Sequence, residues 1–340
     1  MTSTRFKLHI PAAFMKLRIP PALALWIAAP VFGEVFSGST RLNEFFNPFT
    51  FVTEAMLYGC GAILVRELVV RWKKGWLAML LLGMAYGIYE EGMVVQSLFD
   101  PTWHDLGVLA TYGRAAGVNW VWAEHLTIFH ALISISASIT FVEILYSSQR
   151  GDLWVRSRSW WMVNWLAFLT VLLLWKLDIK YDSGAWQLVC ILTIILLAGL
   201  ARILPGRILP PMHKPVPRPA RFWWAGFLAC FAQLLLIYVF SSKGTLPFPA
   251  LMLLVFLFDI FVLWLVSRWN GNGVSWDDRH RLALINGALC FFLIFGPLAT
   301  NGKYPIMYFS SPLLLILMWL VYIWIARRIA VQPTSAPPSI

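Results

Sequence analysis

The chain has 340 residues, enough for about two soluble domains, but 59% of them are hydrophobic and only 13% are charged. Soluble proteins carry roughly 45–50% and about 25% of these classes, so a soluble globular fold is excluded. The formal charge of +11 could suggest nucleic acid, but the basic residues sit in short loops between apolar runs, where membrane topology asks for them, so no nucleic-acid partner is expected.

The N-terminal segment 1–18 carries Arg5, Lys7, Lys16 and Arg18 ahead of a long apolar stretch with no clean small-x-small cleavage site. It reads as a cytoplasmic segment before an uncleaved first span. Ten apolar stretches follow, each near the length that crosses a bilayer. They cover 19–37, 49–70, 76–97, 119–146, 160–178, 185–203, 222–241, 248–267, 281–299 and 306–326. The sequence thus predicts an all-α, polytopic integral membrane protein with about ten transmembrane helices, placed in the cell (inner or plasma) membrane with both termini cytoplasmic.

Charge tests that topology. With the N-terminus inside, the cytoplasmic segments hold 21 Lys and Arg and the outer segments 6, and the asymmetry alternates through every loop. Trp72, Trp76, Trp120, Trp122, Trp160 and Trp161 fall near span ends, as in an interfacial aromatic belt. Cys60, Cys190, Cys230 and Cys290 lie inside apolar runs, in no CxxC pair, and read as small core residues. The expected organisation is spans 1–6 over 19–203, a stiff Pro-rich cytoplasmic linker over 204–221, spans 7–10 over 222–326, and a disordered cytoplasmic tail over 327–340.

Ionisable residues inside a membrane are costly and point to function. Here they crowd into the first four spans. Glu34, Glu54, Glu90, Glu91, Glu124 and His125 all fall in the outer part of the bilayer, with His130 about 8 Å deeper than His125. At about 100° per residue, Gly83, Gly87, Glu90 and Glu91 share one face of span 3, and the Gly-xxx-Gly pair lets another helix come close. Glu54, Tyr58 and Gly61 share a face of span 2. Glu124, Thr127, His130, Ser134 and Ser138 form a polar stripe on span 4, while His125 points elsewhere. A polar pocket among spans 1–4, open or nearly open to the outside, follows from these faces. Glu90, Glu91 and His130 are the candidate catalytic residues, with Glu54, Tyr58, Glu124, Thr127 and Ser134 lining the substrate site. Bland alternatives stand beside this: Glu34 and Glu54 could simply reach the headgroups, and His130 could be a packing histidine bonded to Ser134. Two adjacent carboxyls in an apolar run are harder to account for by packing, because repulsion and desolvation both oppose them.

Elsewhere the charges read as ordinary. Glu67 and Arg71 are spaced as a surface pair beside Arg66 and serve as anchors. Glu143, Asp152, Asp277 and Asp278 read as solvated.

Two functions fit. The first is a membrane-embedded hydrolase acting on a lipid, lipid-linked or membrane-peptide substrate, with a glutamate as base and His130 as its partner. A divalent metal on Glu90, Glu91 and His130 is compatible with the residue types, although no HExxH motif is present, and the sequence names no cofactor. Glu90-Glu91 in one span and His130 in the next resemble the first two motifs of the CAAX-protease and bacteriocin-processing family of intramembrane glutamic proteases. In that family, paired glutamates activate water and histidines assist. The family pattern has an arginine four residues after the second glutamate, where this chain has Val95. It has an aromatic four residues before the histidine, where this chain has Leu126. It also has a histidine on a later span, whereas His213 and His280 fall in loops. The second function is a ten-helix transporter of a small cationic solute, with Asp259 of span 8 as a lone coupling acid near mid-membrane.

Overall fold

The computed structural model describes residues 19–178, 181–300 and 302–331. The segment 1–18 and the tail from 332 onward, expected to be a cytoplasmic lead and a disordered end, lie outside the described residues. Among the described residues, nine helices are long and apolar enough to cross a membrane. They are α2 (Pro48–Arg71), α3 (Trp76–Val94), α4 (Trp120–Leu145), α5 (Arg158–Leu177), α6 (Trp186–Ile203), α7 (Pro219–Lys243), α8 (Phe248–Trp269), α9 (Asp278–Ala299) and α10 (Met307–Ile329). A shorter apolar helix, α1 (Pro21–Val35), precedes them. The all-α, multi-pass architecture is therefore as the sequence predicts. The first span is shorter than expected, about 22 Å at a helical rise.

Local chemistry sets the helix ends. Proline at the first turn opens α1, α2 and α7. The Asn47 side chain accepts from the backbone N–H of Phe49 and Thr50, and Asn119 accepts from Trp122. Asp277 caps α9 and bonds His280 in return. Gly244 ends α7 in the left-handed region, φ +57°.

The helices are not equivalent. About two thirds or more of the apolar windows of α2, α3 and α4 is buried, and 61% of that of α9, against 11–22% for the remaining long helices. α2, α3 and α4 form the centre, with α1, α5 and α6 packed around them. The core there runs through Leu25, Ala29, Leu57, Ile63, Leu82, Ile135, Val171 and Ala201. A second layer, in which Phe32, Phe129 and Ile133 meet Ile285, Leu289 and Met318, seats α9 and α10 against α1 and α4. α7 and α9 touch backbone to backbone. A Cβ built on Gly226 would lie 3.0 Å from the Ala288 nitrogen, and one on Gly287 would collide with the Trp223 carbonyl. α3 and α4 meet in the same way at Gly83 and Gly87, as their spacing predicts.

At the arginine-rich end the structure corrects the sequence. Arg66 and Glu67 are not surface anchors; they are 1% and 0% exposed. The Arg66 guanidinium bonds Glu67 (2.8 Å) and the carbonyls of Asp152 (2.5 Å) and Arg150 (2.7 Å), and stacks on Trp154 at 3.8 Å. Glu143 is not solvated either: it lies 3.4 Å from Arg66, while Asp278 is bonded by Arg150 at 2.8 Å. The loop after α4 folds back over the end of α2 and supplies these carbonyls, a long-range closure that residue spacing does not encode. At the opposite end, the long loop after α3 carries a small hairpin, β1 (Arg114–Ala115) paired with β2 (Val118–Asn119), which the sequence reading treats as plain loop.

Candidate functional site

Each of the four helices α1–α4 contains a π-helical segment: Val31–Val35, Ala55–Gly59, Tyr89–Val94 and His130–Ala137. Such wide turns are rare and concentrate at functional sites, because they rotate side chains off the ordinary helical face. Here they carry Glu34, Tyr58, Glu90 with Glu91, and His130 with Ser134. All four segments lie about 20 Å from the arginine-rich ends of their helices, so these side chains meet at one level.

At their meeting point, one imidazole stands between two carboxylates. His130 Nε2 is 2.9 Å from Glu91 Oε1, and Nδ1 is 3.2 Å from Glu90 Oε2 and 3.0 Å from Ser134 Oγ. Glu90, Glu91 and His130 are 3%, 8% and 2% exposed. The open pocket expected from the helix faces is thus an enclosed cluster. Tyr58 donates to Glu90 and contacts Glu34 through the same hydroxyl. Thr40 bridges onward, 2.6 Å from Glu34 and 2.8 Å from Glu54. On the other side Ser97 donates to Glu91 and accepts from the Trp122 indole at 3.1 Å. A continuous run of contacts therefore goes Glu54–Thr40–Glu34–Tyr58–Glu90–His130–Glu91–Ser97, hydrogen-bonded except between Glu90 Oε2 and His130 Nδ1, which face each other at 3.2 Å. Glu34 and Glu54 do not simply reach the headgroups. Among the described residues no Lys or Arg is bonded to any of these carboxylates, and His130 is the one base in the chain of contacts. Four carboxylates and one imidazole in a dry interior call for protons or a bound cation.

The structure brings Glu90, Glu91, His130, Glu54, Tyr58 and Ser134 together. Thr127 sits where α4 crosses Gly87, its Cα 3.3 Å from a Cβ built there, and joins no hydrogen bond of the cluster. Glu124 stands apart. It joins no hydrogen bond of the cluster, and its Oε2 is buried without a partner. Glu124 stands six residues before His130, which at about 100° per residue puts it about 120° off the His130 face and about 9 Å away along the axis, so the stripe drawn from Glu124 to Ser134 does not hold. Asp259 is no lone acid, since both its oxygens accept from Gln233 at 2.9 Å. His125 joins no hydrogen bond of the cluster and lies beside Trp122 and Phe129, at ring-centroid distances of 6.0 and 6.4 Å.

Sequence reasoning missed Thr40, Tyr86 and Ser97. Thr40 lies in a turn outside the expected spans, and Ser97, the last residue of the expected third span, lies in a turn because the helix ends at Val94. Tyr86 was findable, four residues before Glu90 on the same face.

The fold and the cluster define an all-helical, multi-pass membrane protein built around an enclosed Glu/His centre. A model described as an uncharacterized membrane protein family matches residues 23–202, more than half of the chain, and the chain belongs to that family. That stretch contains every member of the cluster. No curated protein and no solved structure matches the chain.

Proposed function

We propose that the chain is a membrane-embedded hydrolase whose reacting groups are Glu90, Glu91 and His130, acting on a lipid, lipid-linked or membrane-peptide substrate. The observation that carries this is the imidazole held between two adjacent carboxylates at 2.9 and 3.2 Å, inside an apolar bundle. A carboxylate beside a histidine at this range takes a proton from water and passes one on. In the proposed reaction Glu91 accepts a proton from water. The water oxygen bonds the acyl or phosphoryl centre, the bond to the leaving group breaks, and the proton reaches the leaving group through His130. Tyr58, Ser97 and Ser134 act as positioning residues that fix the carboxylates and the ring. The burial of the cluster requires the helices to part to admit a scissile bond, and the surrounding apolar surface suits a substrate already dissolved in the bilayer. The resemblance to glutamic intramembrane proteases at Glu90, Glu91 and His130 supports the same chemistry. The transport alternative rests on Asp259, which accepts from Gln233 through both oxygens and lies outside the cluster.

The test is isotopic. Membranes containing the chain are incubated in ¹⁸O-water, and their lipids and peptides are analysed by mass spectrometry. Products labelled in a new carboxyl or phosphoryl group are expected with the wild type and absent with Glu90→Gln and Glu91→Gln. The same labelled products from wild type and both variants would overturn the assignment.

A further inference from the structure

We propose that Glu90, Glu91 and His130 together bind one divalent metal ion of the zinc class. Each offers a ligand atom, and the three atoms lie within 4.8 Å of one another, all on buried residues. The spacing suits one ion. Two neighbouring ligands at about 2.0–2.1 Å from a metal lie roughly 3 Å apart, and His130 Nε2 and Glu91 Oε1 are 2.9 Å apart. One nitrogen with two carboxylates, and room for a fourth ligand, is a donor set for zinc, manganese or cobalt. Calcium and magnesium ask for six or more oxygens.

The surrounding hydrogen bonds divide each side chain into a held half and a free half. Tyr58 donates to Glu90 Oε1 and Ser97 to Glu91 Oε2. His130 Nδ1 faces Ser134 Oγ at 3.0 Å and Nε2 meets Glu91 Oε1 at 2.9 Å; an ion held by both of those atoms would replace their hydrogen bond while Nδ1 kept its proton on Ser134. This is the outer shell a metal site needs, one partner orienting each ligand. Glu90 Oε2 has no satisfactory hydrogen bond although Glu90 is only 3% exposed, its nearest neighbour being Nδ1 at 3.2 Å. The Tyr86 hydroxyl is a second orphan, 4% exposed, aimed at Glu90 from one turn away. An ion with a bound water supplies what both lack. A 2+ charge also offsets carboxylates that no Lys or Arg neutralises.

The inference deepens the hydrolytic reading and rests on it only for what the ion would do, which is to activate water. Occupancy is measured without turnover. The full chain in detergent is stripped with EDTA and titrated with Co²⁺ and then Zn²⁺, read by visible absorption and elemental mass spectrometry. One ion per chain is expected. Glu90→Gln and Glu91→Gln should abolish binding, and Tyr58→Phe, which removes only an outer hydroxyl, should weaken it roughly tenfold. A wild-type chain that takes up no cobalt or zinc overturns the site, whatever the variants do. ¹⁸O incorporation that survives EDTA overturns the metal and leaves hydrolysis standing. One bound ion with no incorporation overturns hydrolysis and leaves the metal.

Discussion

Gly87 lies directly against His130: a Cβ built on the glycine would sit 3.0 Å from the histidine's Cβ and 3.3 Å from the Cα of Thr127. The contact that lets α3 approach α4 is thus the contact that sets the imidazole against the two glutamates. Gly87→Ala must push backbone, since neither neighbour is a flexible side-chain tip. We expect a loss of about 1–3 kcal/mol and a lower midpoint of thermal unfolding in detergent. Hydrolysis should fall further than stability alone explains. An unchanged midpoint would show that the two helices are looser than described.

Glu90→Gln and Glu91→Gln keep side-chain volume and remove a proton acceptor. Each should lower the rate of ¹⁸O incorporation by a hundredfold or more while leaving membrane insertion intact, as judged by extraction and unfolding. Asp259→Asn, in the second bundle, should leave that rate within about twofold, because Asp259 answers Gln233 rather than the cluster. A transport function centred on Asp259 would give no ¹⁸O incorporation in the wild type.

Arg66→Ala would leave the buried Glu67 with the Trp154 N–H at 2.9 Å and Arg71 at 3.6 Å, and would remove the donor from the carbonyls of Asp152, Arg150 and Gln149. Breaking one side of such a pair costs about 3–5 kcal/mol, and loss of the folded chain from detergent extracts is the expected readout. Arg66→Lys should recover little, since an ammonium cannot reproduce the guanidinium fork.

Asp277 gives a pH prediction outside the spans. Its hydrogen bond with His280, at 2.6 Å, and the backbone N–H groups it caps hold its carboxyl below the usual carboxylate range. A carboxyl lowered in the folded state stabilises above its unfolded value, near 3.9, and that contribution disappears as pH falls through the folded value. Between pH 5 and 8 the stabilisation should be complete and flat. Asp277→Ala should cost about 1 kcal/mol as a lost helix cap at neutral pH, and the difference from wild type should shrink under acid. A difference that grows with acid would contradict the assignment.

Residue types and spacing on α2–α4 were sufficient to pick out Glu90, Glu91, His130, Tyr58 and Ser134, because Gly83 and Gly87 mark the inward face of α3 and polar residues in a bilayer turn away from lipid. Glu124 was misplaced because steps of three residues drift by about 60° each, and two such steps along the regular turn of α4 carry it off the His130 face. Thr40 and Ser97 were invisible because a turn has no period to extrapolate.

By itself the sequence determined that this chain is a multi-pass helical membrane protein. Apolar length follows from the thickness of a bilayer and the need to satisfy every backbone group within it, and the alternation of basic loops from the bias of Lys and Arg to one side of the membrane. Which helices lie inside was decided only by the tertiary structure, and against a simple hydropathy ranking. α8 is the most apolar span and faces outward, while α3, among the least apolar, is central. In a lipid solvent apolar surface gains nothing by burial, so polar contacts and close glycine packing choose the interior. Those depend on four helices arriving together with their widened turns at one depth.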